Sequence, residues 1–316
     1  MTKVTFRPAV TDEDYEACAR ISTEQDPDSP VTAAVLRKHD LLSPEGTPKH
    51  RELMEQDGRP VGHVRTIQVF WGDSPTLFDV RFLCSPQDEA WFETGHRRAT
   101  ELAVSDGATD ITTWSDERHP ARMRWLAEQG FVEKQRNPVS FLDLTSFEPQ
   151  QWSARVQQGF SGGIEAKSCE SLIQEGGADA FQRLWELEDA LMADVPLPYE
   201  WKGIPFEEFK RFLESHERHW PTLWIALDQG EYVGQTQLMR NEADPSLAET
   251  GLTGVVRSHR RRGIAAALKI KSLAQAKELG VRRLGTDNEQ NNPMYGLNVA
   301  LGFRKEYEAV GFERPV

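Results

Sequence analysis

Residues 259–269 read HRRRGIAAALK. Three arginines, Arg260, Arg261 and Arg262, run into Gly263, then Ile264, Ala265 and Ala266, then a run of helix formers. The chemistry this pattern supports is anion binding. The first amides of a helix lack an intrahelical acceptor, and the helix dipole places partial positive charge on them. Small residues at 263, 265 and 266 let a phosphate come close to the backbone, and guanidinium groups add charge-assisted bonds. The residues alone therefore describe a cradle for a pyrophosphate-like group at 260–266. The alternative is a solvated basic loop ahead of an ordinary helix.

The cradle needs a strand before it and a helix after it. LTGVV at 252–256 is strand-like, and 264–280 has a helical apolar pattern with Gly280 as its stop. The rest of the chain repeats this plan. DGRPVG at 57–62 and QGEYVG at 229–234 are turns between apolar, strand-like runs, hence hairpins. Gly62 and Gly234 are 234 − 62 = 172 positions apart, and Phe131 of LAEQGF and Phe303 of NVALGF share that offset. Two features with one offset indicate duplication. Each copy is expected to open with a strand (3–7; 162–167) and two helices (11–23 and 30–40; 177–193 and 205–218). The hairpin follows, then a strand (76–84; 248–257), a long helix (88–105; 262–279), a short strand, a second helix and terminal strand material. This mixture predicts an α/β or α+β fold with a central mixed sheet. We expect an N-terminal domain at 1–146, a linker at 147–161 and a C-terminal domain at 162–316.

The chain of 316 residues is long enough for two such cores. With 38% hydrophobic and 28% charged residues it is expected to fold rather than stay disordered. A formal net charge of −13 argues against a nucleic-acid partner, which requires a basic face, and is compatible with a cationic substrate. Cys18, Cys84 and Cys169 are odd in number and widely spaced, so neither a metal site nor a disulfide framework is expected. No signal peptide or membrane span is read, and the expected location is cytoplasmic.

The order strand, RxxGxA loop, helix, strand, Asn, helix, LGF resembles the GNAT superfamily of N-acetyltransferases. Its signature is carried by Arg260, Gly263 and Ala265, and LGF at 301–303 with Asn291 matches the later helix. The doubled layout resembles the tandem members of that superfamily. The resemblance implies two tandem GNAT-like domains, each a central mixed, mostly antiparallel sheet flanked by helices. It implies acetyl-CoA as cofactor, with Val255, Val256 and Arg257 along the pantetheine arm. The loop residues Arg260, Arg261, Arg262, Gly263, Ile264, Ala265 and Ala266 would hold the pyrophosphate, and Asn291 joins the cofactor set. In the first copy the same offset sets Asp88, Trp91 and Glu93 opposite Arg260, Gly263 and Ala265. Acidic and bulky residues oppose phosphate binding, so that copy is expected to be degenerate.

Acetyl transfer to an amine needs a neutral amine, a polarised carbonyl and a proton for the leaving thiolate. By resemblance Glu249 is the base, although it also reads as an exposed strand-edge carboxylate. The family's usual tyrosine acid is replaced by Asn298; Tyr295, one turn earlier, either substitutes or packs. Acceptor specificity in the family comes from the early helices. There, Asp189, Asp194 and Tyr199 lie in an acidic, aromatic stretch at 187–209 that suits a cationic small-molecule amine. Two rivals are a catalytically silent acyl-CoA-binding or sensing protein, favoured by Asn298, and a transferase using charged tRNA, opposed by the charge. A monomer or a homodimer is compatible with the doubled chain.

Overall fold

The computed structural model describes residues 4–316, side chains at 217 and 218 excepted. Residue 3, at the start of the first expected strand, lies outside the described residues. The N-terminal series is β1 (Val4–Pro8), α1 (Asp12–Gln25), α2 (Ala33–Leu41), β2 (Lys49–Gln56), β3 (Arg59–Gln68), β4 (Leu77–Cys84), α3 (Phe92–Ser105), β5 (Asp110–Asp116), α4 (Pro120–Glu128) and β6 (Val132–Asp143). Then come α5 (Ser153–Gly159), β7 (Ile164–Ser168), α6 (Cys169–Met192), α7 (Phe206–Ser215), β8 (Leu223–Asp228), β9 (Glu231–Arg240), β10 (Leu247–Val255), α8 (Ile264–Glu278), β11 (Arg283–Asp287), α9 (Pro293–Ala300) and β12 (Arg304–Pro315).

Local chemistry starts and stops these elements. Thr11 caps α1 in a capping box: its hydroxyl accepts from Asp14 N and the Asp14 carboxylate accepts from Thr11 N. Asn292 caps α9 ahead of Pro293, whose missing N–H costs nothing at a helix start. The duplication is visible element by element: β3 and β9, α3 and α8, and β6 and β12 begin 172 positions apart. Even the hairpin irregularity recurs, with one extra residue on β3 at Val61 and one on β9 at Val233.

The described residues form two compact units, 4–137 with 198–202 and 307–316, and 138–197 with 203–306. The sheet of the first runs β1-β2-β3-β4-β5-β12, and that of the second β6-β11-β10-β9-β8-β7. Pairing is antiparallel except for β4 with β5 and β10 with β11. Both are the expected mixed, mostly antiparallel sheets flanked by helices. The division differs from the expected one at 146 and 162. Each unit takes its sixth strand from the other copy's end: Ala309–Pro315 pair with β5, and Val139–Asp143 pair with β11. The stretch 147–161, expected as a linker, folds into α5 and packs in the second unit, where Gly159 lies close to Gly263 and Ala267.

In the first unit the main core joins Phe78, Val80, Phe92, Leu102, Leu126 and Phe131 between sheet and helices α3 and α4. In the second, Leu142, Leu238, Ile270, Leu273, Leu284 and Phe303 do the same under α8 and α9. Each fully buried side chain of this size contributes roughly 1.5–3 kcal/mol, and together they fix where α8 begins. Among the described residues no helix is long and apolar enough to cross a membrane.

Candidate active site

The cradle is set by three consecutive backbone decisions. After β10, a 3-10 turn covers Arg257–His259, Arg261 takes φ 62 and Gly263 takes φ 85. Left-handed values are natural for Gly263 and uncommon for a side chain such as that of Arg261. The first helical bond of α8 that closes on the loop runs from Ala267 N to Gly263 O, 3.0 Å. The amides of Ile264, Ala265 and Ala266 therefore have no acceptor within the helix, and Gly263 has no side chain to cap them. That is the backbone nest an anion requires.

Two carboxylates hold the loop. Asp194 accepts from Arg257 (Nη2 2.5 Å, Nε 3.1 Å) and from Arg260, whose Nε also donates to Val255 O at 2.9 Å. The Arg257 hydrogen bond is the main cause that holds the Asp194 carboxyl below its ordinary range. Asp228 bonds His259 Nε2 at 2.9 Å and lies 3.7 Å from Arg262. Among the described residues no carboxylate pairs with Arg261, which is exposed at the mouth of the nest. Asp194, expected to meet the acceptor, is instead committed to the arginines of the loop.

Beside the nest the sheet opens. β10 pairs with β11 only through Leu247–Glu249, leaving the edge beyond without that partner. Against β9, β10 carries one extra residue between Thr250 and Thr253. Val256 N donates to Val233 O at 2.9 Å, so by strand alternation the Val255 N–H faces the open edge. Thus Val255 presents a donor there and the Val256 amide does not.

Helix α6 covers this opening. A Cβ at Gly254 would lie 3.0 Å from Leu191, so glycine permits that approach. One turn earlier on α6, Glu188 accepts from Gln235 Nε2 at 2.7 Å, and Gln235 pairs with Gly254. Burial pushes the Glu188 carboxyl above its ordinary value. The sequence alone gives Glu188 no role beyond membership of the acidic stretch at 187–209. The available signal is a carboxylate on the face of α6 that carries Leu184, Leu187 and Leu191, all buried.

Glu249 is exposed. Its neighbours Ala248 and Thr250 face the other way: Ala248 joins the core with Ile270 and Leu273, and Thr250 donates to Thr286 at 2.5 Å. Glu249 therefore projects from the α6 side of β10. Asn298 is fully buried. Its Nδ2 donates to Asn288 at 2.6 Å and to Thr286 at 3.4 Å, while its Oδ1 has no partner among the described residues. A polar atom so placed awaits a donor. Tyr295 is half-buried on the same helix.

Three expected site residues sit elsewhere. Asn291 is exposed and its amide donates to Glu289 at 2.8 Å within its own turn. Tyr199 belongs to the N-terminal unit, where its hydroxyl accepts from Trp71 Nε1 at 2.6 Å. A proline-bounded loop carries it there, away from the helix on which Asp189 lies. Asp189 itself lies beside Gly203, 3.0 Å from where a Cβ would be.

Residues 183–303 match the family model for the Acetyltransferase (GNAT) family. The matched stretch carries the pattern of that family from α6 through α9. The two-copy architecture has counterparts among solved structures. A tandem GNAT protein from the clavulanic acid biosynthesis pathway superposes with TM-score 0.73 at 18% identity, covering 99% of this chain and 98% of that one. A GCN5-related N-acetyltransferase from Sphaerobacter thermophilus gives TM-score 0.68 at 18% identity, with 99% and 95% covered. Likeness at that identity establishes the tandem fold. No protein of curated function matches the sequence.

The N-terminal GNAT fold lacks the GNAT loop. Trp91, opposite Gly263, has φ −90, and its indole donates to Gln56 at 3.2 Å. Asp88, opposite Arg260, accepts from Arg59 at 2.7 and 2.9 Å and from Ser85 at 3.0 Å. β4 pairs with β3 without the extra residue seen on β10.

Proposed function

We propose that the chain is an acetyl-CoA-dependent N-acetyltransferase whose C-terminal unit binds the cofactor and transfers the acetyl group directly to a primary amine of a small cationic molecule. One observation supports this above the others: the left-handed Gly263 opens the N-terminus of α8 immediately beyond the gap between β10 and β11. The residues fit the cofactor, since the nest takes an anion and the gap takes an extended arm. The amides of Ile264, Ala265 and Ala266, with Arg261, hold its pyrophosphate. Acetyl-CoA supplies an activated acyl thioester.

The protein's own groups do the rest. The Val255 N–H, aimed at the open edge, polarises the carbonyl. Exposed Glu249 draws the ammonium of the acceptor. Half-buried Glu188, with its raised proton affinity, takes the proton and leaves a neutral nucleophile. Asn298 Oδ1 accepts a hydrogen bond but donates no proton, so Tyr295 or solvent serves the departing thiolate. The N-terminal unit, with Trp91 and Asp88 in the loop positions, does not take acetyl-CoA. Three buried thiols, Cys18, Cys84 and Cys169, fit a reducing, cytoplasmic setting.

Calorimetric titration of acetyl-CoA into wild type and Gly263→Asp tests the reading. The expected result is one site per chain, lost in the variant. Two sites would overturn the assignment of the N-terminal unit, and none would overturn the function. Binding without turnover on a panel of polyamines, amino acids, amino sugars and peptide N-termini would favour the silent binder, which Asn298 in the acid's place supports.

A further inference from the structure

A cavity of about 320 Å³ lies in the N-terminal unit, where β4 and β5 separate. The two strands pair only through Leu77–Asp79 and Asp110–Thr112. Four guanidinium groups line it: Arg51, Arg65, Arg81 and Arg122. Such a concentration in one partly enclosed space is costly unless compensated.

The compensation is incomplete by one charge. Asp40 binds Arg51 at 2.7 and 2.8 Å, and Glu89 binds Arg122 at 2.7 and 2.5 Å, both in two-point contact. Asp79 binds Arg81 through Nε at 3.0 Å and Nη2 at 2.9 Å. Arg65 has only a 3.3 Å contact to that same Asp79. Among the described residues, four cations thus share three carboxylates. His63 does not alter the balance, since burial and Arg51 push its proton affinity down, and its Nε2 bonds Ser22 Oγ at 2.8 Å. Burial, together with Arg51 and Arg81, also lowers the Arg65 pKa, an uncommon direction for a guanidinium. The unmatched group faces the cavity with 29% of its side chain exposed.

Leu36, Phe82 and Trp114 supply apolar wall. Apolar walls beside convergent polar groups are the combination that holds and orients a small organic ligand. We propose that the N-terminal unit binds a small organic monocarboxylate here, its carboxylate on Arg65 and its apolar body against Phe82 and Trp114. One negative charge completes the ion network, and the planar fork of a guanidinium matches a carboxylate in two-point contact. α3 continues directly from a 3-10 turn over Pro86–Trp91, with no left-handed glycine at its start, so the phosphate nest seen at α8 has no counterpart beside this cleft. The proposal is independent of acetyl transfer in the C-terminal unit.

Phenylacetate, phenylacetamide and inorganic phosphate, titrated separately into the full chain, test it through tryptophan fluorescence and calorimetry. We expect saturable binding of phenylacetate with a change in emission. Phenylacetamide should bind at least tenfold more weakly. Arg65→Met should weaken phenylacetate at least tenfold while acetyl-CoA binding is unchanged. Should Arg65→Met fail to fold, Leu36→Trp blocks the cavity from its apolar wall and should abolish binding with the arginines intact. Equal binding of the amide, retention of affinity in Arg65→Met or Leu36→Trp, phosphate binding in place of phenylacetate, or no binding of phenylacetate would each overturn the assignment.

Discussion

At Gly263 the backbone sits at φ 85, whereas Trp91, 172 positions earlier, sits at φ −90. That difference decides whether the following helix starts afresh with open amides or runs on from a 3-10 turn with acidic residues at its start, because a left-handed residue with a bulky side chain is strained. A second residue-scale contrast lies between Glu188 and Glu249. Burial raises the Glu188 carboxyl, so it keeps its proton to a higher pH than an ordinary carboxyl and cannot act as base until that proton is lost. Activity should therefore rise with pH through its raised value. Glu188→Gln should lower kcat roughly 10²–10⁴-fold and flatten the acid limb of the pH–rate profile. A retained limb would reassign the base to Glu249. The loop was legible because Arg260, Gly263 and Ala265 are contiguous and each answers a local backbone need. Glu188 was not, because its environment is made by Gln235, 47 positions away. Tyr199 misled for the same reason: its type suited a cation site, but Trp71 determines where it sits.

At the scale of elements, β3, β9, α3, α8 and the hairpin bulges follow the duplication offset, since patterning and turn chemistry are local. Helix α8 buries two polar side chains among apolar ones: Ser272, which donates to Thr222 O at 3.0 Å, and Lys269. Lys269 is 2% exposed, its Nζ lies 5.5 Å from the Phe303 ring centroid, and burial brings its pKa down to about 7 from 10.5. An unfolded chain keeps this proton up to the ordinary lysine value, while the folded one releases it near 7. The folded state thus binds fewer protons between those values, and stability gains with rising pH across that window. Below it both states are charged and the full burial penalty stands. A tenfold change in proton affinity corresponds to about 1.4 kcal/mol, so Lys269→Met should stabilise the second unit by a few kcal/mol at pH 6. The gain should shrink toward zero near pH 10. Urea unfolding at the two pH values measures it, and an equal effect at both would contradict a buried ammonium.

At the scale of the whole molecule, the copies in the sequence are not the units of the fold. The last strand of each copy is 172 positions from its counterpart and is the same length, so the sequence pattern assigns β6 to the first copy and β12 to the second. Backbone pairing reverses this: β5 hydrogen-bonds to Ala309–Pro315, and β11 to Val139–Asp143. Periodicity predicts that a strand exists but not which neighbour it selects, which is why the boundary expected at 146 was misplaced. The N-terminal core includes Val310 and Phe312, and the first unit also contains 198–202, with Tyr199 on Trp71. A fragment of residues 1–146 therefore lacks a sixth strand and leaves the edge of β5 unpaired, a template for aggregation. It should fail to unfold cooperatively and should show little protection of β5 amides in hydrogen exchange. Removing 307–316 from the full chain should expose those same β5 amides while α8 and β9 remain protected. A cooperatively folded 1–146 fragment would mean that β6 can replace β12 beside β5, and that the duplication still retains its original, unexchanged pairing.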